Sequence, residues 1–434
     1  MRVRIHRGAH EIGGSCVEVE AAGCRLVLDV GRPLSSPRDA SVPLPDVAGF
    51  AGGDPSLAGV VISHAHQDHW GLVDQVAAGV PIYLGAATRR ILAEAGFWSS
   101  GIDIDAAGVL VHRTPLDIGP FRVTPFLNDH SAFDAYSLLV EAEGKRLFYT
   151  GDIRGHGRKG AIFEELLRKP PTGVDVMLME GTNIRPGDEP PAPETPEPVA
   201  TETDVEAACA ATFRDTDGLI LVVSSAQNID RLVTLYRATL QADRDFVMDL
   251  YTAGVARATG NANIPQPGPD WARVHVYAPL WQRRRVKDAG AFHRVDEIKP
   301  YRLFEEDLAA DPARFVVSFT LSDGPRLAAA GALAGARAVW SLWTGYLGEP
   351  RGQQLQRFLD GAGIPLVVHH TSGHASVADL QRRPRPSRHG GSSPSTPSGA
   401  APVRPAVVGV AQDELLVGQL LLRAHLAPRC RVPP

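Results

Sequence analysis

The sequence has 434 residues, of which 44% are hydrophobic and 21% are charged. These values are typical of globular proteins and argue against a disordered or fibrous chain, while the length favours two domains, or one domain with a large insertion. The formal net charge is −5, so any contact with nucleic acid would depend on a local basic patch.

The cysteine content and the apolar runs indicate the cellular compartment in which the protein is expected. Four cysteines are scattered without a CxxC spacing, namely Cys16, Cys24, Cys209 and Cys430. This favours reduced thiols over a disulfide framework. The segment MRVRIHRGAHEIGG lacks the apolar core of a signal peptide, and no apolar run approaches the ~20 residues of a membrane span. We expect a soluble, cytoplasmic protein without membrane contact.

Short β-rich runs separated by glycines dominate the first part of the chain. They include SCVEVEAAG, CRLVLDVG, AGVVISH, FRVTPFLNDH and RLFYTGD, and the helical patterns LVDQVAAG and ATRRILAEAG interrupt them. Alternating runs of this kind predict strands, and the longer periodic runs predict helices. The mixture predicts a layered α/β domain, built on a sandwich of sheets with helices outside.

A Pro- and Glu-rich run, RPGDEPPAPETPEPVATET, marks the first boundary because it cannot hold a regular helix or strand. Beyond it, LILVVSS, NIDRLVTLYRATLQA and DFVMDLY predict a β-α-β unit, and RFVVSFT and GARAVWSLW predict further strands. QQLQRFLDGAG and IPLVVHHTSGH then predict a helix and a strand. From Arg382 the composition becomes that of a low-complexity segment.

The stretch SHAHQDHWGL contains four potential metal ligands within six positions, which are His64, His66, Asp68 and His69. Imidazoles and carboxylates are the ligands that zinc takes in catalytic sites. Four ligands so close together cannot all serve one tetrahedral ion, so the spacing predicts two neighbouring ions. His130 and Asp152, each at the end of a β-like run, are the candidate partners. A lone histidine is more often structural, but this succession of motifs favours a metal site.

These motifs, together with Asp29 in LVLDVG, resemble the successive motifs of the metallo-β-lactamase fold over most of the chain. The resemblance implies that Asp29 ties the ligand loops together. It also implies two zinc sites, the first held by His64, His66 and His130, the second by Asp68 and His69, and both bridged by Asp152.

Two further stretches resemble the β-CASP nucleases, particularly the ribonuclease J type. They are LMEGTN, which contains Glu180, and VVHHTSGHASVADLQ, which contains His374. The resemblance implies a metallo-β-lactamase αββα sandwich with an inserted β-CASP-like α/β domain. The corresponding boundaries are residues 1–185 for the first part of the sandwich, 186–350 for the insertion, 351–381 for its return segment and 382–434 for a low-complexity tail.

The same resemblance implies roles for the residues outside the metal ligands. Glu180 would support the histidines, and His374 would contact the scissile phosphate or protonate the leaving oxygen. A polar cluster could contact a phosphate, or equally cap a helix, and consists of Ser224, Ser225, Gln227 and Asn228. His369 and His370 are interpreted as structural. The basic run WQRRRVKDAG is a candidate nucleic-acid contact, although such runs are more often solvated surface.

The implied function is a two-metal hydrolase that cleaves RNA phosphodiester bonds through a hydroxide bridging two divalent ions, with Asp68, Glu180 and His374 as its catalytic residues. Zinc is the expected metal and manganese the alternative. Single-stranded RNA is the expected substrate and DNA the alternative. A hydrolase of a small ester, thioester or lactone is the rival on the same fold. The large insertion favours a polymer groove.

One motif of the β-CASP group is missing, a histidine at the end of a VVPIH-like strand after SGHA. Read one frame over, the codons of RHGGSSPSTP can encode Val-Val-Pro-Ile-His, so we hypothesise that the sequence after about Gln381 is out of frame. The alternatives are a natural linker before an amphipathic helix, QDELLVGQLLLRAHLA, and a replacement ligand, His389. A chain that lacks this ligand could also be an inactivated copy.

Overall fold

The computed structural model describes residues 1–37, 40–99, 102–184 and 199–382, together with the backbone of 414–416. The described chain forms three β-sheets with helices on their outer faces, in agreement with the predicted α/β class. In the part of the chain that the structure describes, no helix is both long enough and apolar enough to span a bilayer.

The first sheet keeps the strands in chain order: β1 (Arg2–Arg7), β2 (Cys16–Ala21), β3 (Cys24–Leu28), β4 (Leu57–Val61), β5 (Ile82–Gly85) and β6 (Ala106–Leu110). The first three strands are antiparallel and the last four, from β3 onward, are parallel. Parallel neighbours need crossover connections, which here contain α1 (Gln67–Trp70) and α2 (Ala86–Trp98). The predicted helix in LVDQVAAG is only a short 3-10 turn, Val73–Gln75.

The second sheet packs on the first. Its strands are β7 (Leu116–Ile118), β8 (Phe121–Leu127), β9 (Tyr136–Ala142), β10 (Lys145–Tyr149) and β11 (Val176–Leu178), again in chain order, with α3 (Gly160–Arg168) between β10 and β11. Apolar side chains from the facing strands form one core, for example Leu26 and Leu28 of β3 with Leu138 and Val140 of β9. The alternating β-rich runs therefore form the predicted sandwich.

The third sheet contains seven strands, all parallel, in the order β15-β14-β13-β16-β12-β17-β18. In chain order they are β12 (Ile220–Val223), β13 (Asp245–Met248), β14 (Val274–Tyr277), β15 (Arg302–Leu303), β16 (Phe315–Ser318), β17 (Arg337–Trp340) and β18 (Leu366–Val368). The predicted β-α-β unit is present in sequence, but β16 lies between its two strands. Short apolar runs cannot specify this order, since any of them could occupy the centre.

In the described chain, α4 (Glu202–Arg214) precedes these strands and seven α-helices connect them: α5 (Ile229–Gln241), α6 (Leu250–Ala258), α7 (Leu280–Asp288), α8 (His293–Asp296), α9 (Glu305–Ala310), α10 (Gly324–Ala329) and α11 (Pro350–Gly361). Further 3-10 turns span Lys299–Tyr301, Pro312–Arg314, Leu321–Asp323 and Thr344–Gly348. Helices on both faces bury the central strands almost completely, as parallel sheets require.

The predicted return segment, 351–381, is divided between two layers. α11 packs Leu355 and Leu359 onto the core of the third sheet, and β18 pairs with β17 in the same sheet. Ala375 and the following helix α12 (Val377–Gln381) pack with the second sheet instead, where Ala375 and Leu380 belong to the cluster around Phe163. A helix followed by a strand reads the same in sequence whichever sheet the strand joins, so the pattern alone could not place this boundary.

A last strand, β19 (Glu414–Leu416), pairs antiparallel with β1. It falls inside the segment considered above as an amphipathic helix. The remainder of the tail that was interpreted as out of frame, His389 included, lies outside the described residues.

A buried ionic network joins the sandwich to the third sheet. The guanidinium of Arg154, which has no solvent exposure, donates to Asp230 at 2.5 Å, to Glu202 at 3.3 Å and to the carbonyl oxygen of Ser372 at 2.9 Å. Arg231 donates to both oxygens of Glu202, at 3.0 and 3.1 Å. The network balances three cations against three carboxylates: Arg154, Lys159 and Arg231 with Asp129, Glu202 and Asp230.

We expect the substitution Arg154→Met to lower the free energy of unfolding by about 3 to 5 kcal/mol, because it leaves buried carboxylates without a partner. The exposed pair of Arg122 with Asp117 offers the matched control, and Arg122→Met should leave the free energy of unfolding nearly unchanged. Urea unfolding followed by circular dichroism measures both. Equal, small losses would show that the network contributes little to stability.

The network also predicts a dependence of stability on pH. Burial alone would raise the pKa of Glu202, but Arg231 and Arg154 outweigh it and lower that pKa to about 2. A depressed pKa in the folded state adds stability above the unfolded value near 4.5 and loses it as the pH falls towards 2. The loss from this group is of the order of 3 kcal/mol.

Urea midpoints measured between pH 7 and pH 3 test this expectation. The variant Glu202→Gln should be less stable at pH 7 and should lose less stability on acidification than the unaltered protein. Parallel pH profiles of the two proteins would contradict the assignment.

Candidate metal centre

The candidate ligands lie on loops that follow strand ends on one edge of the sandwich. His64 and His66 follow β4, His130 follows β8, and Asp152 follows β10. Asp68 and His69 lie in α1, directly after the first pair. The chain therefore brings together residues from both sheets at one point, as the sequence predicted.

The six side chains form two groups whose donor atoms lie within 4.8 Å of one another. One group is His64, His66, His130 and Asp152, and the other is Asp68, His69 and Asp152. Asp152 is common to both, which is the arrangement expected of a carboxylate between two cations. A third group of the same kind contains Asp152, Glu180 and His374.

Several polar atoms in this cluster are buried without a hydrogen-bond partner among the described residues. They include His64 Nε2 and Asp152 Oδ2, which lie 3.7 Å apart, while His69 Nε2 lies 3.3 Å from the same carboxylate oxygen. Buried polar atoms without partners are costly in a folded protein. Their lone pairs converge on a common space, so the residues present fit a divalent cation.

Asp29 connects the loops that carry the ligands. Its carboxylate accepts hydrogen bonds from the backbone N–H of Ser63 at 2.7 Å and from the hydroxyl of Tyr149 at 2.7 Å, and it lies 2.7 Å from His69 Nδ1. This contact orients the His69 ring so that Nε2 faces the other ligands. Asp29 adopts a positive φ of 62°, a conformation that aspartate tolerates better than most residues.

The backbone packs tightly against the α1 ligands. A Cβ atom at Gly31 would lie 1.7 Å from the carbonyl oxygen of Asp68, so only glycine permits this approach. The carbonyl oxygen of Asp68 accepts from Ser15 N, and that of His69 accepts from Val30 N. These contacts fix the direction in which both ligand side chains leave the backbone.

The buried ionic network supports the other ligand loops, and the sequence analysis did not identify it. Asp129, which precedes His130, accepts from Gly157 N at 2.8 Å, and Lys159 Nζ donates to the carbonyl oxygen of His130 at 2.7 Å. Arg154, two residues after Asp152, belongs to the same network. Charged residues beside ligands were the only signal in the sequence, and they do not reveal distant partners.

The ligands have strongly perturbed acidities. Burial lowers the pKa values of His64 and His130, so both imidazoles remain neutral. Burial also opposes a charge on His69, but Asp152 and Asp29 outweigh it and raise the pKa of His69. Although burial opposes ionisation of Asp152, His69 and His374 hold its pKa well below the usual range. His64, His130 and Asp152 are therefore in the neutral imidazole and ionised carboxylate forms that coordinate cations, whereas His69 would release its proton to a cation that binds there.

Glu180 and His374 form a pair at the edge of the cluster. His374 Nδ1 lies 3.2 Å from Glu180 Oε2 and 3.5 Å from Asp152 Oδ2, while Glu180 Oε1 accepts from Ile153 N at 2.6 Å. Burial raises the pKa of Glu180. Burial opposes protonation of His374, but Asp152 and Glu180 outweigh it and raise its pKa to about 9.

The polar cluster after β12 lies beside the His130 loop. Asn228 and Ala132 form an isolated antiparallel bridge, so this loop of the third sheet meets the metal-binding edge. The Asn228 side chain accepts from Arg231 N at 2.9 Å and caps α5. The capping role is therefore observed for Asn228, and phosphate contacts by Ser224, Ser225 and Asn228 stay a prediction.

The two other histidines near the SGHA segment have protein partners. His369 Nε2 lies 2.8 Å from the hydroxyl of Thr212, and His370 Nδ1 lies 3.5 Å from Arg231 Nη1. Their contacts agree with the structural interpretation of both side chains.

Comparisons with known proteins agree with this geometry. A family model described as a beta-lactamase superfamily domain matches residues 43–216. Ribonuclease J of Sinorhizobium meliloti is 24% identical over 240 residues, which cover 51% of this chain and 39% of that protein. Ribonuclease J of Mycobacterium tuberculosis is 24% identical over 256 residues, which cover 56% and 43%. The chain thus spans less than half the length of these curated relatives.

A solved structure of a protein of unknown function from Enterococcus faecalis V583 superposes with a TM-score of 0.70 at 19% identity, over 88% of this chain and 90% of the other. This likeness covers the third sheet as well as the sandwich and confirms the overall fold. Residues 43–216 therefore match the model of a beta-lactamase superfamily domain, and the chain is similar to the ribonuclease J group.

Proposed function

We propose that this protein is a two-metal hydrolase that cleaves phosphodiester bonds of single-stranded RNA. The observation that carries the proposal is the pair of ligand groups that share Asp152, with the Glu180–His374 pair beside them. Two neighbouring divalent cations activate a water molecule and neutralise the charge that develops on a phosphodiester. His64, His66 and His130 would hold one cation, Asp68 and His69 the other, and Asp152 both.

In this proposal His374 transfers the proton that the leaving oxygen requires. Glu180 fixes the orientation of the imidazole through Nδ1, which leaves Nε2 for the substrate. Without a cation the carboxylates hold His374 protonated. Cations that neutralise Asp152 would bring the pKa of His374 back towards neutrality, where an imidazole is an effective acid or base.

The donor set limits the choice of metal. Imidazole nitrogens and carboxylate oxygens suit zinc and also accommodate manganese, and no thiolate contributes to the described groups. The second group offers only Asp68, His69 and Asp152 among the described residues. A further ligand from the C-terminal segment would complete it, and we propose that a restored VVPIH histidine has this role.

The substrate assignment rests on the third sheet and on the names of the relatives. Ribonuclease J is the name of several relatives, and the chain carries a complete parallel sheet beyond the sandwich, which a small ester or lactone would not need. We interpret residues from about 199 to 371 as the inserted domain. The buried free thiols of Cys16 and Cys209 are consistent with a cytoplasmic location.

The amount of metal that the protein retains tests the proposed two-metal site. We expect the purified full chain, equilibrated with zinc and desalted, to retain up to two ions, and Asp152→Asn to lose most of that metal because both groups share this carboxylate. The control is Asp117→Asn, which changes an exposed carboxylate. Elemental analysis measures the content, and an unaltered content in the Asp152 variant would contradict the shared site. Less than one ion in the unaltered protein would support an inactivated copy.

Cleavage of 5′-monophosphorylated single-stranded RNA by zinc- or manganese-loaded protein tests the activity. The substitution His374→Ala should lower kcat roughly 10²- to 10⁴-fold, the usual range for a lost acid or base, and should leave the metal content unchanged. His293→Ala, which alters an exposed histidine on α8, is the control.

The same assay should compare the chain as written with a version whose tail is returned to the VVPIH frame. Cleavage by the reframed version alone would support both the nuclease and the frameshift. Faster turnover of small chromogenic esters than of RNA by either version would overturn the proposed substrate.

A further inference from the structure

A basic cluster lies at the outer edge of the third sheet. Arg302 belongs to β15, the edge strand, and its guanidinium carbon lies 4.3 Å from the ring centre of Phe304, which is 43% exposed. Arg283 reaches the cluster from α7 and Arg326 from α10. Three guanidinium groups and an exposed aromatic ring therefore share one surface.

The cluster is poorly neutralised. Glu305 is buried and is the common acceptor for Arg283 Nη2 at 3.4 Å, for Arg326 Nε and for the hydroxyl of Tyr277 at 3.2 Å. Three arginines thus face one carboxylate, and no other acid in the described chain is recorded in an ion pair with them.

Two of the remaining acids around the cluster have other partners, and a third is exposed on α9. Asp307 accepts from Phe304 N at 2.8 Å, and buried Asp323 accepts from the Thr320 hydroxyl at 2.8 Å. Glu306 is exposed next to Glu305, on α9. None of these carboxylates has a hydrogen bond to Arg302 among the described residues.

The Arg302 side chain has no hydrogen bond or ion pair with any described residue, and its Nε is buried without a partner. Burial and the neighbouring charge of Arg283 lower its pKa. A partly desolvated guanidinium beside a second one is unfavourable unless an anion joins them. The guanidinium instead lies over the ring of Phe304. A cation beside an exposed aromatic ring suits a nucleotide, because the cation can bind the phosphate and the ring can stack on the base.

The position of the cluster relates it to the metal centre. β15 pairs with Val276 and Tyr277, the last two residues of β14, so Arg302 and Phe304 lie near the C-terminal edge of the sheet. Ligands of parallel α/β sheets bind outside the C-terminal ends of their strands. The loop after β12, which meets Ala132, leaves the same edge. β15 is four strands from β12, or roughly 19 Å at the usual spacing between strands.

The arginines of α7 make contacts with two different parts of the protein. Arg285 donates to the carbonyl oxygen of Phe97 at 2.8 Å and lies over its ring, which attaches α7 to α2 of the sandwich. Arg283, two residues earlier, faces Glu305 instead. The helix that docks the third sheet on the sandwich therefore also contributes a cation to the cluster.

We propose that Arg302, Arg283, Arg326 and Phe304 form a second binding site for the RNA strand, in which the arginines bind a backbone phosphate and Phe304 stacks on a base. The inference rests on the proposed function. A stacked strand rises by about 3.4 Å per nucleotide, so roughly six nucleotides separate this site from the loop after β12. The site thus favours substrates long enough to reach it.

The test compares 5′-phosphorylated RNAs of 4 and 14 nucleotides with the full-length, metal-loaded protein. The variant is Arg302→Gln, which breaks no ion pair, and the control is Arg357→Gln on α11, an exposed arginine without an ion pair among the described residues. The KM ratio of the short to the long RNA is the main measurement. Arg302→Lys tests whether charge alone suffices.

We expect Arg302→Gln to lower that ratio roughly three- to tenfold and to reduce the slope of log KM against log salt for the long RNA by about 0.7, the value for one phosphate contact on a single strand. Arg302→Lys should restore the salt slope, and Arg357→Gln should match the unaltered protein. An unchanged ratio and slope in Arg302→Gln would overturn the site.

A separate outcome would concern the proposed function. If the unaltered protein cleaves neither RNA, the nuclease assignment fails. Fluorescence anisotropy with the labelled 14-nucleotide RNA then tests the second binding site independently of cleavage. Weaker binding by Arg302→Gln than by Arg357→Gln would support it. Equal binding would overturn it.

Discussion

The fold depends on a buried set of balanced charges between the sandwich and the third sheet. Arg154 occupies its centre and contacts Asp230 and Glu202 of the third layer as well as the carbonyl oxygen of Ser372. Charges at this depth are tolerated only when each has partners, so the two layers can adopt few other relative positions. Because Arg154 follows Asp152 by two residues and Asp129 precedes His130, the same contacts that join the layers also hold the ligand loops.

The metal centre is supported from two sides. Asp29 joins Ser63, His69 and Tyr149, and the ionic network holds the loops that contain His130 and Asp152. The ligand atoms therefore remain close together in a buried space, although unpaired lone pairs would favour their separation. Such a preorganised cluster is what a hydrolytic metal site needs, because the protein does not have to reorganise when a cation or a substrate enters.

Two features at one edge of the third sheet concern this centre. Its strands direct their C-terminal ends to one edge, where the loop after β12 meets Ala132 and the chain after β18 continues to His374. At the far end of that edge the arginines of β15, α7 and α10 are left with one carboxylate. In the proposed function, a single strand of nucleic acid would meet the candidate metal ligands, the polar loop residues and a basic, aromatic surface in succession.

The sequence by itself determined the α/β class and most of the elements, and its HxHxDH run with the separate His130 and Asp152 motifs predicted which six side chains would gather. That was possible because four of these ligands lie within six positions, and His130 and Asp152 each follow a recognisable strand. The tertiary structure alone decided the order of the third sheet, the membership of β18, the pairing of Arg154 with Asp230 and the isolation of Arg302. These features join residues far apart in the chain, and neither periodicity nor charge indicates which distant residue becomes a neighbour.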